Sequence, residues 1–425
     1  MEVATPARRT RGVLLAGAAF LAAVVAYAVA ANHAPSQMWY MLDLQIYRSG
    51  GEAARHGTGL YELRYQLKLP FTYPPFAALI FEPLSFLRLN TLKILVTTTS
   101  ILALLGTVWV TVRASAPTWS RARQRKVTLL VAAVAMFLEP VQQTLHFGQV
   151  NILLMVLVVA DLLQPDDRRY KGAGVGIAAG FKLTPLIFLA YLLFTRRLRA
   201  TVTGVLAFLG TFVVGALALP SESRRFWVDR LFLDSGRIGG LVNVTNQSLQ
   251  GVIGRLAHGV GHGAPYWVPA EILVAVAGLT LATRVHDRWN ELSGLLVCAV
   301  TGLLISPVSW SHHWVYVAPA LAGAVVFALT YGHRWAWALT GVGLLLFAAW
   351  PFPHPPGTPI VPHGLIWLEP NYHHREYRWH WYQMIVGNTE FLAGMTVLVA
   401  AGLLLRSTRT RQGSDEEERT AVGSG

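Results

Sequence analysis

Cysteine and charge are what this sequence has least of. A single cysteine, Cys298, occurs in 425 residues, and it lies inside an apolar run. That excludes a disulfide framework and any cysteine-based zinc site. Charged residues make up only 13% of the chain, where a soluble domain carries roughly a quarter. With 53% of residues hydrophobic and several runs approaching the ~20 residues a spanning helix needs, no water-soluble core is called for. Acidic residues are scarcer than basic ones, 22 against 35, for a net charge of +13. In a membrane protein such an excess belongs to cytoplasmic loops rather than to nucleic-acid binding. No clear small-residue cleavage site follows the first apolar run, Val13 to Ala31, although Arg8, Arg9 and Arg11 precede it. It reads as an uncleaved first helix and not a signal peptide. Nor is there an internal repeat of the kind many transporters carry.

What is present is an all-α pattern of about twelve candidate spans: 12–31, 91–112, 127–140, 149–163, 172–181, 184–194, 199–219, 267–283, 291–307, 314–331, 335–350 and 391–405. The segment 71–89 is apolar but broken by Pro74, Pro75, Glu82 and Pro83, and is placed at the interface. With both termini in the cytoplasm, 21 of the 35 Lys and Arg fall in short inner segments, where basic residues fix orientation. The expected organisation is one transmembrane domain over 1–405, with long periplasmic loops at 32–90, 220–266 and 351–390. A charged tail, 406–425, is expected to be disordered and cytoplasmic.

The same topology sorts the histidines: only His286 and His333 of the 14 fall inside. The outer face therefore reads as a site. Asp43, about one turn beyond the first helix among Trp39, Tyr40, Leu42 and Leu44, is placed for partial desolvation, which suits a carboxylate to base work; the alternative is a helix cap. Outer turns gather Glu139, Gln142, Gln143, His146, Gln149 and Asn151; Lys182 at a hairpin apex; Asn243, Asn246, Gln247 and Ser248; and Ser306 to Trp314 with His312 and His313. An ionisable group inside an apolar hairpin faces a cavity or a partner unless it snorkels to the headgroups, so Lys182 is the most informative of these. Lys182, His312 and His313 could together offer cationic donors to a phosphate. In 351–390, Arg375 and Arg378 stand beside Trp367, Trp379 and Trp381, a composition suited to sugar rings and an anion. Its histidines fit no zinc motif, and no metal is expected. Asp166-Asp167 resembles a metal-holding carboxylate pair, but it lies in an inner loop among Arg168, Arg169 and Lys171.

The ordered set Asp43, Tyr73-Pro74-Pro75, His146 to Asn151, Lys182 to Pro185, Asn246 to Leu249 and Ser306 to His313 resembles family 87 glycosyltransferases, bacterial members of the GT-C superfamily. Within the family the chain is most similar to the mycobacterial phosphatidylinositol-mannoside branch. The resemblance implies transfer of mannose, in α-1,2 linkage, from polyprenyl-phosphate-mannose to a phosphatidylinositol mannoside, in the plasma membrane on its periplasmic side. It further implies no cofactor, since the donor is a lipid phosphate and not a nucleotide sugar. Asp43 maps onto the family's catalytic aspartate, an inverting base. Lys182, His312 and His313 are the expected donor-phosphate ligands. Tyr73, His146, Gln149, Asn151, Asn246, Gln247, Arg375 and Arg378 are the expected substrate-binding residues. Branching of lipomannan or lipoarabinomannan from the same donor remains open, as does a lipid-linked-sugar flippase, although transporters usually place polar sites near the midplane.

Overall fold

A computed structural model describes residues 6–62, 64, 69–354, 358–371 and 374–422, and the chain is 76% helical. In chain order the helices are α1 (Pro6–His33), α2 (Pro35–Met38), α3 (Leu42–His56), α4 (Pro75–Phe81), α5 (Leu89–Ser115), α6 (Arg121–Ala135), α7 (Glu139–Phe147), α8 (Asn151–Leu162), α9 (Ala173–Phe181) and α10 (Leu186–Phe194). There follow α11 (Leu198–Ala218), α12 (Pro220–Ser223), α13 (Leu249–Leu256), α14 (Val260–Arg288), α15 (Glu291–Ile305), α16 (Val317–Tyr331), α17 (Arg334–Phe347), α18 (Trp381–Gly387) and α19 (Thr389–Val422).

Among the described residues, six helices are long and apolar enough to cross a bilayer: Arg9–His33, Leu89–Ser115, Leu198–Ala218, Val260–Arg288, Ser311–Tyr331 and Thr389–Ser407. Exposed leucines such as Leu14, Leu206, Leu217 and Leu273 line them, which is the surface lipid requires. The chain is a multi-pass helical membrane protein. The other candidate spans are helical as well but shorter, from 9 residues in α9 and α10 to 15 in α6 and α15. A helix of that length does not cross the hydrocarbon core alone and is tolerated where protein surrounds it. The core accordingly runs through α5, α6, α8, α9 and α15, with Leu104, Val108, Ala132, Val158, Val175 and Leu295 fully buried.

Close backbone packing sets the α9–α10 hairpin. Gly172, Gly176 and Gly180 form a small-residue stripe on α11, and a Cβ added at Gly176 would come within 2.1 Å of the Gly204 carbonyl oxygen. Such stripes let membrane helices approach where lipid supplies no hydrophobic drive. At the far end Gly180 abuts Thr211, so the apex at Lys182 lies level with the last turns of α11. Segment 71–89 forms α4 and a 3₁₀ turn, Pro83–Phe86, packed on α3. Tyr47 of α3 stacks on Phe81 with ring centroids 4.5 Å apart.

Two features depart from the sequence expectation. The 351–390 segment is not all helix: β1 (Trp350–Pro353) pairs antiparallel with β2 (Ile360–His363). Pro351 and Pro353 cannot donate the bonds a helix interior needs, and a two-stranded ribbon tolerates them. The last helix continues to Val422, through the charged residues of the tail.

Candidate active site

The site is built on short-range geometry at one end of the bundle. Asp43 lies in the first turn of α3, where the helix dipole favours a carboxylate. Tyr47 follows one turn later on the same face. Across from them, α7 ends at Gly148, whose left-handed backbone (φ +65°) no β-branched residue would accept. A Cβ there would meet Leu44 Cβ at 2.7 Å, so this glycine lets the turn press against α3. The turn delivers Gln149 to the carboxylate.

Gln149 is oriented by what surrounds it. Its Oε1 accepts from the Tyr47 hydroxyl at 2.7 Å and the Tyr73 hydroxyl at 3.1 Å. The two hydroxyls are themselves 2.7 Å apart. With its oxygen so engaged, the amide must aim Nε2 at Asp43 Oδ2, to which it donates. Burial raises the Asp43 pKa to about 6, while the Gln149 hydrogen bond and the Lys182 charge pull the other way. Desolvation thus wins, and the carboxyl titrates near neutrality, where a general base is most useful.

Lys182 faces this group from the hairpin apex. Its Nζ donates to Asn151 Oδ1 at 2.9 Å and meets His313 Nε2 at 3.0 Å. Asn151 Nδ2 in turn donates to the His312 carbonyl at 2.8 Å, as does the Thr144 hydroxyl at 3.0 Å. The His312 ring is buried between Phe147 and His313, and its Nε2 has no partner. Four segments that are remote in sequence therefore converge: the start of α3, 144–151, the 182 apex and 306–313.

A cavity of about 290 Å³ opens between them, lined by Asp43, Tyr47, Tyr73, Gln149, Lys182 and His313 among others. The remaining wall comes from 226–238 and includes Phe226, Leu231, Asp234 and Arg237. Arg237 donates to the Phe71 carbonyl at 3.0 Å and lies over the Tyr61 ring.

Other residues expected in the site fall elsewhere. Asn246 is fully buried, and its side chain is consumed by Leu241 and Pro307 carbonyls and the Ser309 amide. Gln247 donates to the Val244 and Gly387 carbonyls and accepts from the Phe391 amide. Asn246 braces the 306–310 turn and Gln247 ties its loop to the start of α19; neither lines the cavity. His146 packs on Phe147, and burial lowers its pKa to about 4. Arg375 and Arg378 are exposed on a 3₁₀ turn beside α13, outside the cavity lining. Asp166 is ion-paired with Lys171 at 2.6 Å and Arg197 at 3.7 Å, remote from Asp43. Sequence reading missed Tyr47, which the i, i+4 spacing from Asp43 could have supplied. It also missed Asp234 and Arg237, which sit in an irregular loop with no periodic signal.

Fold and site together define a helical membrane protein whose cavity sets one elevated-pKa carboxylate against a lysine and a histidine. The chain belongs to glycosyltransferase family 87: the model of that family matches residues 71–307. It is 35% identical over 405 residues, 89% of this chain and 87% of the relative, to a polyprenol-phosphate-mannose-dependent alpha-(1-2)-phosphatidylinositol mannoside mannosyltransferase of Mycolicibacterium smegmatis. A Mycobacterium tuberculosis protein with the same description is 31% identical over 88% of this chain and 87% of its own. A second M. tuberculosis relative, described as the corresponding pentamannoside mannosyltransferase, is 36% identical over 74% of this chain and 72% of its own. No solved structure matches the chain. The family resemblance drawn from the ordered motifs is borne out.

Proposed function

We propose that the protein transfers mannose from polyprenyl-phosphate-mannose to a phosphatidylinositol mannoside, forming an α-1,2 linkage with inversion. The observation that carries this reading is the Asp43–Gln149 pair facing Lys182 and His313 across one cavity. The relatives' descriptions support the donor and the acceptor class. In the reaction an acceptor hydroxyl oxygen bonds to the mannose anomeric carbon, and the bond from that carbon to the phosphate oxygen breaks. The hydroxyl proton passes to Asp43, and polyprenyl phosphate departs with its electron pair. Such a leaving group needs charge stabilisation more than protonation, which Lys182, beside His313 in the cavity lining, would supply. Twelve spans with both termini in the cytoplasm, and the cavity facing the periplasm, accord with the charge distribution.

Purified protein with polyprenyl-phosphate-mannose and a panel of lipid and glycan acceptors tests the activity. An α-1,2-linked product on a phosphatidylinositol mannoside is expected; a product only on mannan chains would redirect the acceptor. Asp43→Asn separates base from helix cap, because Asn caps as well as Asp but cannot take the proton. Turnover should fall by at least about a hundredfold in a well-folded variant. Near-normal transfer would remove Asp43 from the chemistry.

A further inference from the structure

The cavity's wall at 224–238 has an outer side that the rest of the chain leaves open. Its position relative to the bilayer can be read from α11, which has 21 residues and is therefore about 32 Å long, the thickness of the hydrocarbon core. The wall leaves the end of α11 through α12 and folds back along it. Trp227 packs on Phe212 at 5.7 Å and on Phe208 at 6.1 Å between ring centroids. Those residues lie six and ten positions before Ala218, hence about 9 and 15 Å along the helix from its end. Trp227 therefore reaches below the boundary of the core, alongside a helix whose neighbouring Leu217 is 80% exposed. Val228 is 68% exposed and is not among the residues that line the cavity. Arg224, Asp229 and Arg230 are exposed in the same stretch, where charged groups fix depth at the headgroups while aromatic and aliphatic side chains enter the core.

The opposite side faces inward. Phe226 is buried, stacks on Tyr61 at 5.6 Å and meets Trp227 edge to face at 4.8 Å. Arg225 pairs with Glu62 at 2.6 Å, and Leu231 and Arg237 line the cavity. One short segment thus has lipid-seeking side chains on one side and the catalytic cavity on the other.

We propose that residues 224–233 dock on the outer leaflet, with Trp227 and Val228 inserted, and form the partition between bilayer and cavity past which a lipid-linked donor enters. The entry role and the choice of leaflet rest on the proposed function; the docking on a bilayer does not. The partner is the acyl and headgroup region of the leaflet, since the surface continues the lipid-facing side of α11.

Val228→Cys, made with Cys298→Ala and labelled with a bimane fluorophore in phosphatidylglycerol-containing nanodiscs, reads docking without turnover. Doxyl-labelled lipids should quench it strongly and aqueous iodide weakly. Strong iodide quenching with no lipid effect would overturn the docking, and protection from both quenchers would assign the face to a second protein surface instead. Val228→Asp then reads entry. It should raise the apparent KM for a long-chain polyprenyl donor by about tenfold or more and leave that of a short-chain, water-dispersible donor unchanged. Equal effects on both donors, or none on either, would overturn the entry role while leaving the transfer reaction itself standing.

Discussion

Gln149 decides how Asp43 behaves, because two tyrosine hydroxyls fix its amide so that only Nε2 is left to meet the carboxylate. That hydrogen bond favours the ionised form and holds the Asp43 pKa below what burial alone would give. A base must be ionised to act, so rate should rise with pH through about 6 and fall again through about 7, where Lys182, its pKa lowered by burial, loses the charge that meets the phosphate. Gln149→Leu removes the stabilising donor, which raises the pKa and moves the acid limb of kcat toward higher pH. A hydrogen bond to a charged group is worth about 1.5–3 kcal/mol, so the shift should be on the order of one unit. An unmoved acid limb would show that Gln149 does not hold the base. Lys182 acts on the other partner. Lys182→Ala should weaken donor use by roughly ten- to a hundredfold through lost charge-assisted bonds, and unchanged donor kinetics would exclude it from the phosphate. At this scale the sequence was informative where chemistry is local. Asp43 is conspicuous as a carboxylate among apolar neighbours just past a span. The partnership with Gln149 is not, because it bridges 106 positions through a turn that only the fold creates. Asn246 and Gln247 misled for a physical reason: buried loop carbonyls and amides must be satisfied, and amide side chains do this as readily as they bind sugar.

The elements that matter most are the short ones. α9 and α10 carry 9 residues each, too few to span a bilayer without surrounding protein, and they hold Lys182 level with the end of α11 because glycines bring α9 onto that helix. The apolar runs on either side of Lys182 announced a hairpin in sequence. Its depth was not legible, because depth depends on which helix the glycine stripe meets. Gly176→Val tests this contact. The added Cβ would lie 2.1 Å from the Gly204 carbonyl oxygen and 2.8 Å from Ala207 Cβ, and backbone cannot yield as a flexible side chain would. Detergent-solubilised protein should lose several degrees of thermal stability or fail to accumulate, and donor use should fall with it. A variant with wild-type stability and kinetics would mean the stripe is not a packing surface. The 351–390 segment was the least legible element. Its Pro-rich start and scattered tryptophans carry no period of 3.6 or 2 long enough to specify a helix or a strand, and the ribbon it forms spans only four residues per strand.

The arrangement of the whole molecule follows from where charge can reside. Every short inner segment in the proposed topology is basic, including 113–126 with Arg113, Arg121, Arg123, Arg125 and Lys126, and such segments resist translocation. The topology turns on 71–89. Were that segment to cross, 113–126 would be forced outside and every later span would invert. Its structure argues against crossing, since α4 is 7 residues long and is followed by a four-residue 3₁₀ turn against α3. Cysteines placed singly at exposed positions settle the matter, because Cys298 is buried and contributes little background. All four of Thr118, Asp167, Thr58 and Arg375 are exposed, and the proposed topology puts the first two in inner segments and the last two in outer ones. In intact cells a membrane-impermeant maleimide should label Thr58→Cys and Arg375→Cys and spare Thr118→Cys and Asp167→Cys until the membrane is permeabilised. The two halves of the chain are then read independently. Labelling of Thr118→Cys from outside would put 71–89 across the membrane and would place the 306–313 turn, with His312 and His313, on the side opposite Asp43. Asp43 and His313 line one cavity, so external labelling of both Thr118→Cys and Thr58→Cys would overturn the proposed topology, whereas external labelling of Thr118→Cys with Thr58→Cys unlabelled would mean that the whole molecule is inverted.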